Sequence, residues 1–276
     1  MSSKSSKVIM YIFLILISVI FFFPFYFLIV SATNDSAAIT AGSLTFGSEL
    51  ANNFHKMIED TNVIRSMVNS LFIAVVQTFI SVILSSMAGY GFSIHKSKGK
   101  DVLYKIILLS MMIPFASLMV PLFQIFGSIS KVAPAIGIDT FWGVMLPYLA
   151  TAFLIFYFRQ SSSAFPKDLL DAGRIDGLSE FGLFFKVYMP TMKSTYASAI
   201  IVTFMTSWNN YMWPLVVLQS SEKFTVPLVV SALGSGYTPD YGVIMISILI
   251  TTIPIAIIFF ALQKNFVAGF TGSVKG

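Results

Sequence analysis

The chain has no cysteine, which removes disulfides and thiolate metal sites. Charge is scarce: 11% of residues are Asp, Glu, Lys or Arg, against roughly 25% in a soluble domain. There are 2 histidines, His55 and His95, far apart in polar segments where a solvated ring is the expectation. No G-x-x-x-x-G-K-[ST] run is present; Gly99-Lys100 is followed by Asp101 and lacks the earlier glycine. The chain therefore has no phosphate-cradling loop of its own, and no ATP or Mg is expected on it. What is abundant is apolar: 56% of the 276 residues are hydrophobic and 28 are Phe, with a mean hydropathy of +0.84. This is the composition of an integral membrane protein.

A helix needs roughly 20 mostly apolar residues to cross the hydrocarbon core. Six stretches meet or approach that length: 8–30, 67–94, 102–126, 141–158, 196–218 and 241–263. The expected fold is an all-α membrane protein, a single transmembrane domain over 1–276 with six spans. The first stretch, preceded by Lys4 and Lys7, is too long for a signal peptide and has no clean small-residue cleavage site, so it reads as a retained span. The apolar run from Phe224 to Leu233 is too short to cross and reads as re-entrant or superficial.

Basic residues orient the spans. With the N-terminus inside, the inner side carries Lys4, Lys7, Lys96, Lys98, Lys100, Lys105, Arg159, Lys167, Arg174, Lys186, Lys193, Lys264 and Lys275. The outer side carries Lys56, Arg65, Lys131 and Lys223. Thirteen against four places both termini in the cytoplasm and accounts for most of the net charge of +5. Because these cations are not gathered on one soluble domain, nucleic acid is not expected as a partner.

The cores of the six stretches lack ionisable residues, with Lys105 counted at the inner end of the third. Ion-coupled transporters need such groups at membrane depth, and intramembrane proteases need His/Glu or Asp pairs. Any active transport must draw its energy from another chain. The polar residues within the spans are neutral. Asn69 and Gln77 lie in the second, and Trp208-Asn209-Asn210-Tyr211-Met212-Trp213-Pro214 in the fifth. Amides can bond sugar hydroxyls in either direction, and rings can stack on a sugar's apolar face. Asn69, Gln77, Trp208, Asn209, Asn210 and Tyr211 are therefore candidates for a substrate path. Helix-to-helix bonding and an aromatic belt at the outer interface are the competing readings.

The most informative segment is charged and glycine-broken. Pro166 suits a helix first turn; Lys167 to Asp176 reads as helical, and Gly177 can take the left-handed conformation that ends it. Ser179 can cap a second piece running through Phe181, Phe184, Phe185 and Tyr188 to Pro190. About 35 residues between spans exceed what a connector needs. Two short helices at a bend form a rigid knob suited to a soluble partner.

Asp171-Ala172-Gly173, then Asp176-Gly177-Leu178, then Val187-x-Met189-Pro190 resemble the EAA loop of ABC-importer permeases, E-A-A-x-x-D-G-A-x(8)-I-x-L-P. Gly173 stands where the family has its second Ala, a change that could loosen the first helix. Asn69-Ser70-Leu71, Ala88-Gly89-Tyr90, Phe158-Arg159-Gln160 and the C-terminal string ending in Thr271-x-x-Val274-Lys275-Gly276 are similar to the carbohydrate-uptake branch, in type the small permease of the maltose transporter. The resemblance implies a non-catalytic subunit in a bacterial inner or plasma membrane. It would pair with a second permease, two cytoplasmic ATPase subunits holding ATP and Mg, and an extracytoplasmic sugar-binding protein. It assigns ATPase coupling to Asp171, Ala172, Gly173, Asp176, Gly177 and Pro190 in the segment 166–190, and ATPase contact to Thr271, Val274, Lys275 and Gly276 in the tail 264–276. The outer loop from Gln219 to Asp240 would face the binding protein. A secondary sugar transporter and a non-transporting membrane scaffold are the alternatives. Which sugar is carried is not legible.

Overall fold

The computed structural model describes residues 4–95 and 97–272. Among these the chain is all-helical. Four helices are long and apolar enough to cross a membrane: Ser6–Ala32, Val63–Ile94, Phe115–Val132 and Tyr241–Lys264. A pair, Phe141–Tyr148 and Ala152–Ser162, is bent by 44° at a short break and makes a fifth if it counts as one span.

Three of the six expected stretches are not single helices: 141–158 is that bent pair, and two more are divided. The stretch 102–126 is divided between Lys98–Ser110 and Phe115–Val132. The cause is Pro114, whose missing N–H and ring disfavour helix at the residue before it. The first helix tightens ahead of it, with Met111, Met112 and Ile113 N–H groups reaching back three residues at 3.1–3.2 Å, and Pro114 itself is extended at φ −65°, ψ 134°. Pro121, by contrast, stays inside its helix.

The stretch 196–218 is divided too. Lys193–Trp208 stops at Asn209, and Met212–Val217 restarts the chain. A continuous helix would drive the Pro214 ring into the Asn210 carbonyl. The break falls upstream instead, and Pro214 is placed in a first turn, where no donor is needed.

Contacts divide the chain into two units. One comprises Met1–Arg65 with Val229–Ile253, the other Ser66–Leu228 with Pro254–Gly276. In the first, Asn53 Nδ2 donates to the carbonyls of Ala32 and Asn34 at 3.0 and 2.9 Å, fastening Leu50–Asp60 to the end of the first helix. Lys56 pairs with Asp240 at 3.1 Å. The Asp240 carboxyl stands below its ordinary range: burial alone would raise it, and Lys56 and the Val243 N–H outweigh that.

The second unit holds two buried clusters. One gathers Ile73, Phe126, Val144, Met145, Trp213 and Val217. The Trp213 indole donates to Gly143 O at 2.9 Å and stands edge-on to Phe126. The other gathers Tyr90, Phe158, Phe165, Leu170, Leu183, Phe184 and Tyr188, and it supports the site described next.

Candidate functional site

The segment after Ala152–Ser162 folds as two short helical pieces at a glycine bend. Asp168–Ile175 carries Asp168 and Asp171 in its first turn and Arg174 in its last, the order that suits a helix dipole. Asp176 caps it and Gly177 follows at φ +80°. Gly177 N–H donates to Arg174 O and Leu178 N–H to Gly173 O, both at 3.0 Å. This pair of bonds is the Schellman motif, in which the left-handed position favours glycine. Ser179 then caps Glu180–Leu183 through the Gly182 N–H.

The bend is anchored by burial. Leu170 and Leu183 are almost fully enclosed, each worth roughly 1.5–3 kcal/mol outside the bilayer. Gly173 is buried, and the helix Asp168–Ile175 continues through it. A Cβ there would come within 2.5 Å of Leu183 Cδ2, so the Leu183 side chain occupies the space an alanine methyl would need.

Past Leu183 the backbone widens into one π-helical turn, Phe184–Tyr188, before Met189–Thr191. Pro190 cannot donate to Lys186 O and would crowd it, and a π turn is one way to absorb that mismatch. The turn aims Tyr188 inward, where its hydroxyl lies 2.5 Å from Ser162 Oγ and its ring 4.9 Å from Tyr90.

A charged network spans the bend. Arg174 Nη1 meets Asp171 at 2.8 Å, and Arg174 Nε and Nη2 both reach Glu180 Oε1 at 3.1 Å. Glu180 Oε2 accepts from the Tyr90 hydroxyl and lies near His95 Nε2, each at 3.4 Å. The bond from Arg174 holds the Glu180 carboxyl below its ordinary range, against partial desolvation. Sequence reasoning missed Arg174, Glu180 and Tyr90, and it took His95 as merely solvated. Arg174 and Glu180 are six apart on either side of Gly177, so only the bend brings them together. Asp171, Ala172, Asp176 and Gly177 lie on the exposed surface, as does Pro190. Beside them Ile175 is 88% and Phe181 67% exposed.

The candidate path residues do not form one constellation. Asn69 is buried and gives both amide hydrogens to the carbonyls of Glu222 and Phe224, at 2.9 and 3.0 Å. Gln77 is buried on the same helix with its Oε1 unpartnered. Trp208 is 3% exposed and stacks on Phe204, and Trp213 is wholly enclosed. Buried tryptophans do not make an interfacial belt, which corrects that reading for both. Asn209, Asn210 and Tyr211 occupy the break in the helix; Asn209 Nδ2 turns back to Met205 O at 2.9 Å. In the tail, Thr271 falls within the helix Tyr241–Gly272. Val274, Lys275 and Gly276 lie outside the described residues, as does Lys96.

The turn from Val217 to Val226 is locked by one carboxylate. Asp139 Oδ1 accepts from Gln219 N and Ser220 N at 3.0 Å each. Its Oδ2 accepts from Ser220 Oγ at 2.6 Å and Lys223 Nζ at 2.8 Å. Asp139 also takes a left-handed φ of 57°, which Asp tolerates better than most residues. Burial alone would raise its carboxyl; Lys223, Ser220 and the two backbone N–H groups overcome that and hold it far below its ordinary value. Ser70 Oγ closes the turn by accepting from Val226 N at 2.8 Å.

Residues 81–272, which include the whole bend, match the family described as binding-protein-dependent transport system inner membrane component. The chain belongs to that family. Its relatives in the family are transport permeases. The lactose transport system permease protein LacG of Rhizobium radiobacter is 46% identical over 92% of this chain and 90% of its own length. The arabinooligosaccharides transport system permease protein AraQ of Bacillus subtilis is 32% identical over 98% and 96%. The sn-glycerol-3-phosphate transport system permease protein UgpE of Escherichia coli is 29% identical over 95% of each chain. A solved chain from a bacterial ABC transporter that imports alginate superposes with a TM-score of 0.81 at 21% identity, covering 96% of this chain and 99% of that one. The inner-membrane fold is thus shared by chains whose sequences have diverged widely.

Proposed function

We propose that this chain is one permease half of a binding-protein-dependent ABC importer for a neutral di- or oligosaccharide. The bend at 166–190 docks a cytoplasmic ATPase and passes its motion into the spans. The carrying observation is the pairing of exposed apolar side chains, Ile175 and Phe181, with an exposed charged rim, Asp171 and Arg174, on a buried and capped support. An unpartnered apolar surface rimmed by charge suits a protein contact. Tyr90 supplies the path inward: it belongs to the helix Val63–Ile94, bonds Glu180 and packs on Tyr188. A displacement of the bend is therefore felt by a span.

The reading includes six spans with both termini cytoplasmic, the third, fourth and fifth each interrupted. It also includes a second permease, two ATPase subunits that bind ATP and Mg, and an extracytoplasmic sugar-binding protein. The membrane is the bacterial inner or plasma membrane. In this scheme Asn209, Asn210 and Tyr211, at a break where backbone groups are freed, face the sugar, as unwound helix does in other transporters. The tail through Thr271 and Gly276 reaches the ATPase. The names of the lactose and arabinooligosaccharide relatives favour a neutral sugar. The lack of ionisable residues in the span cores agrees, because a phosphate needs a cation at depth.

The test is uptake into proteoliposomes holding both permeases and the ATPase, with the binding protein added outside. Labelled lactose should accumulate with ATP present, and labelled glycerol 3-phosphate should not. Accumulation of glycerol 3-phosphate alone would overturn the substrate class, and sugar uptake without ATPase would overturn the importer reading.

A further inference from the structure

A second feature of the same end of the molecule is independent of ATPase docking. A cleft of about 400 Å³ opens among the helices Val63–Ile94, Lys98–Ser110 and Ala152–Ser162. Its polar lining is Ser93, Asp101, Arg159, Gln160, Ser163 and Lys167, with Phe92 on one wall. Arg159 is held in place: its guanidinium carbon lies 4.0 Å from the Tyr104 ring centroid, and Phe92 packs on that same ring at 5.6 Å. Its Nε is buried and has no hydrogen-bond partner. Neither Arg159, Lys167 nor Asp101 forms an ion pair among the described residues.

We infer that this cleft binds the headgroup of an anionic phosphodiester lipid. The Arg159 guanidinium lines the cleft without a carboxylate partner among the described residues, and a phosphate seated there would meet its terminal N–H groups with the fork geometry that arginine offers. Two cations and one carboxylate leave a single positive charge, matching a phosphodiester monoanion; a phosphate dianion would meet Asp101. The carboxylate instead accepts from headgroup hydroxyls, as do the Gln160 amide and the serines. The choice of a lipid over a free anion rests on the adjoining surface. Val102, Leu103, Ile106 and Leu109 follow Asp101 along one exposed face of Lys98–Ser110, at the spacing of a helix stripe, where acyl chains can lie. Basic pockets between helices on the cytoplasmic side are known to hold anionic headgroups, and the charge bias puts Lys98, Lys100, Arg159 and Lys167 on that side.

The experiment is native mass spectrometry of the purified full-length chain in detergent, titrated with phosphatidylglycerol, phosphatidylethanolamine or phosphatidylcholine, and separately with inorganic phosphate. One phosphatidylglycerol per chain should survive at collision energies that strip the other two. Lys167→Gln should weaken retention about five-fold, and Lys167→Gln with Arg159→Gln about thirty-fold. Arg159→Lys, which keeps the charge and risks the fold less, should give an intermediate loss. Asp101→Asn should hold phosphatidylglycerol no less firmly and admit inorganic phosphate. Equal retention of all three lipids, or unchanged retention in Lys167→Gln and Arg159→Lys, would overturn the assignment. Displacement of the lipid by millimolar phosphate in the unmodified chain would give the cleft to a soluble anion and overturn it too. Loss of ATPase copurification in the double variant, with lipid retention unchanged, would make the cleft a protein contact instead.

Discussion

The bend at 166–190 and the turn from Val217 to Val226 both carry paired carboxylates, and only the turn is held by them. Asp139 is 22% exposed in its side chain and accepts from two backbone N–H groups, a hydroxyl and an ammonium. Its donors leave little for a partner to exchange with, so the turn is locked. Asp171 and Glu180 are 65% and 49% exposed and share one guanidinium. Exposed ion pairs add little to folding, so the bend takes its stability from Leu170, Leu183 and Tyr188 beneath. Its charges remain available to a second protein. A scaffold needs the first arrangement; a lever that must engage and release needs the second.

Substitutions can break this contrast, beginning with the most costly. Asp139→Ala should lower stability by about 2–4 kcal/mol, read by chemical unfolding in detergent, while ATPase copurification is retained. Asp139→Asn should recover part of the loss, since Asn accepts hydrogen bonds and tolerates a left-handed φ. The pH dependence has a fixed sign. The Asp139 carboxyl is depressed in the folded state, so its contribution is present above the ordinary aspartate value of about 3.9. It is lost as pH falls through the lower folded value. Acid unfolding curves of Asp139→Asn should lack that component.

Gly173→Ala sharpens the comparison from the other side. The new methyl must displace Leu183, at a cost of about 1–3 kcal/mol, and Gly173→Ala with Leu183→Val should recover most of it. Unfolding of both variants checks this. At the helix break, alanine at Asn209, Asn210 or Tyr211 should each weaken sugar uptake by about 0.5–1.5 kcal/mol, with basal ATPase unchanged. Normal uptake kinetics in all three would remove the break from the substrate path.

Parts of this molecule were legible because local chemistry decides them. The Gly177 reversal and the Ser179 cap depend on one residue each and were readable from the sequence. Apolar length located the helices Val63–Ile94 and Tyr241–Gly272, but it ran 102–126 together across the division at Met111–Pro114; proline marks a break only within a few residues. The Arg174–Glu180 and Asp139–Lys223 links were not legible. Their partners are separated by a bend in one case and by about 80 residues of chain in the other, and neither spacing has a period that a sequence pattern can carry. The tryptophans at 208 and 213 illustrate the same limit. An aromatic near an interface and an aromatic in a core have one composition, and only packing separates them.

Copurification of the ATPase with Asp171→Lys, set beside Asp139→Ala, tests the account most directly. The lysine would face Arg174 in place of its carboxylate partner and present the wrong charge to the ATPase. Docking should fall about thirty-fold or more, and uptake with it, while detergent unfolding stays close to that of the unmodified chain. Asp139→Ala should do the reverse, unfolding more readily yet carrying the ATPase through purification. Full docking and full uptake by Asp171→Lys would contradict the account and reduce the bend to a connecting loop.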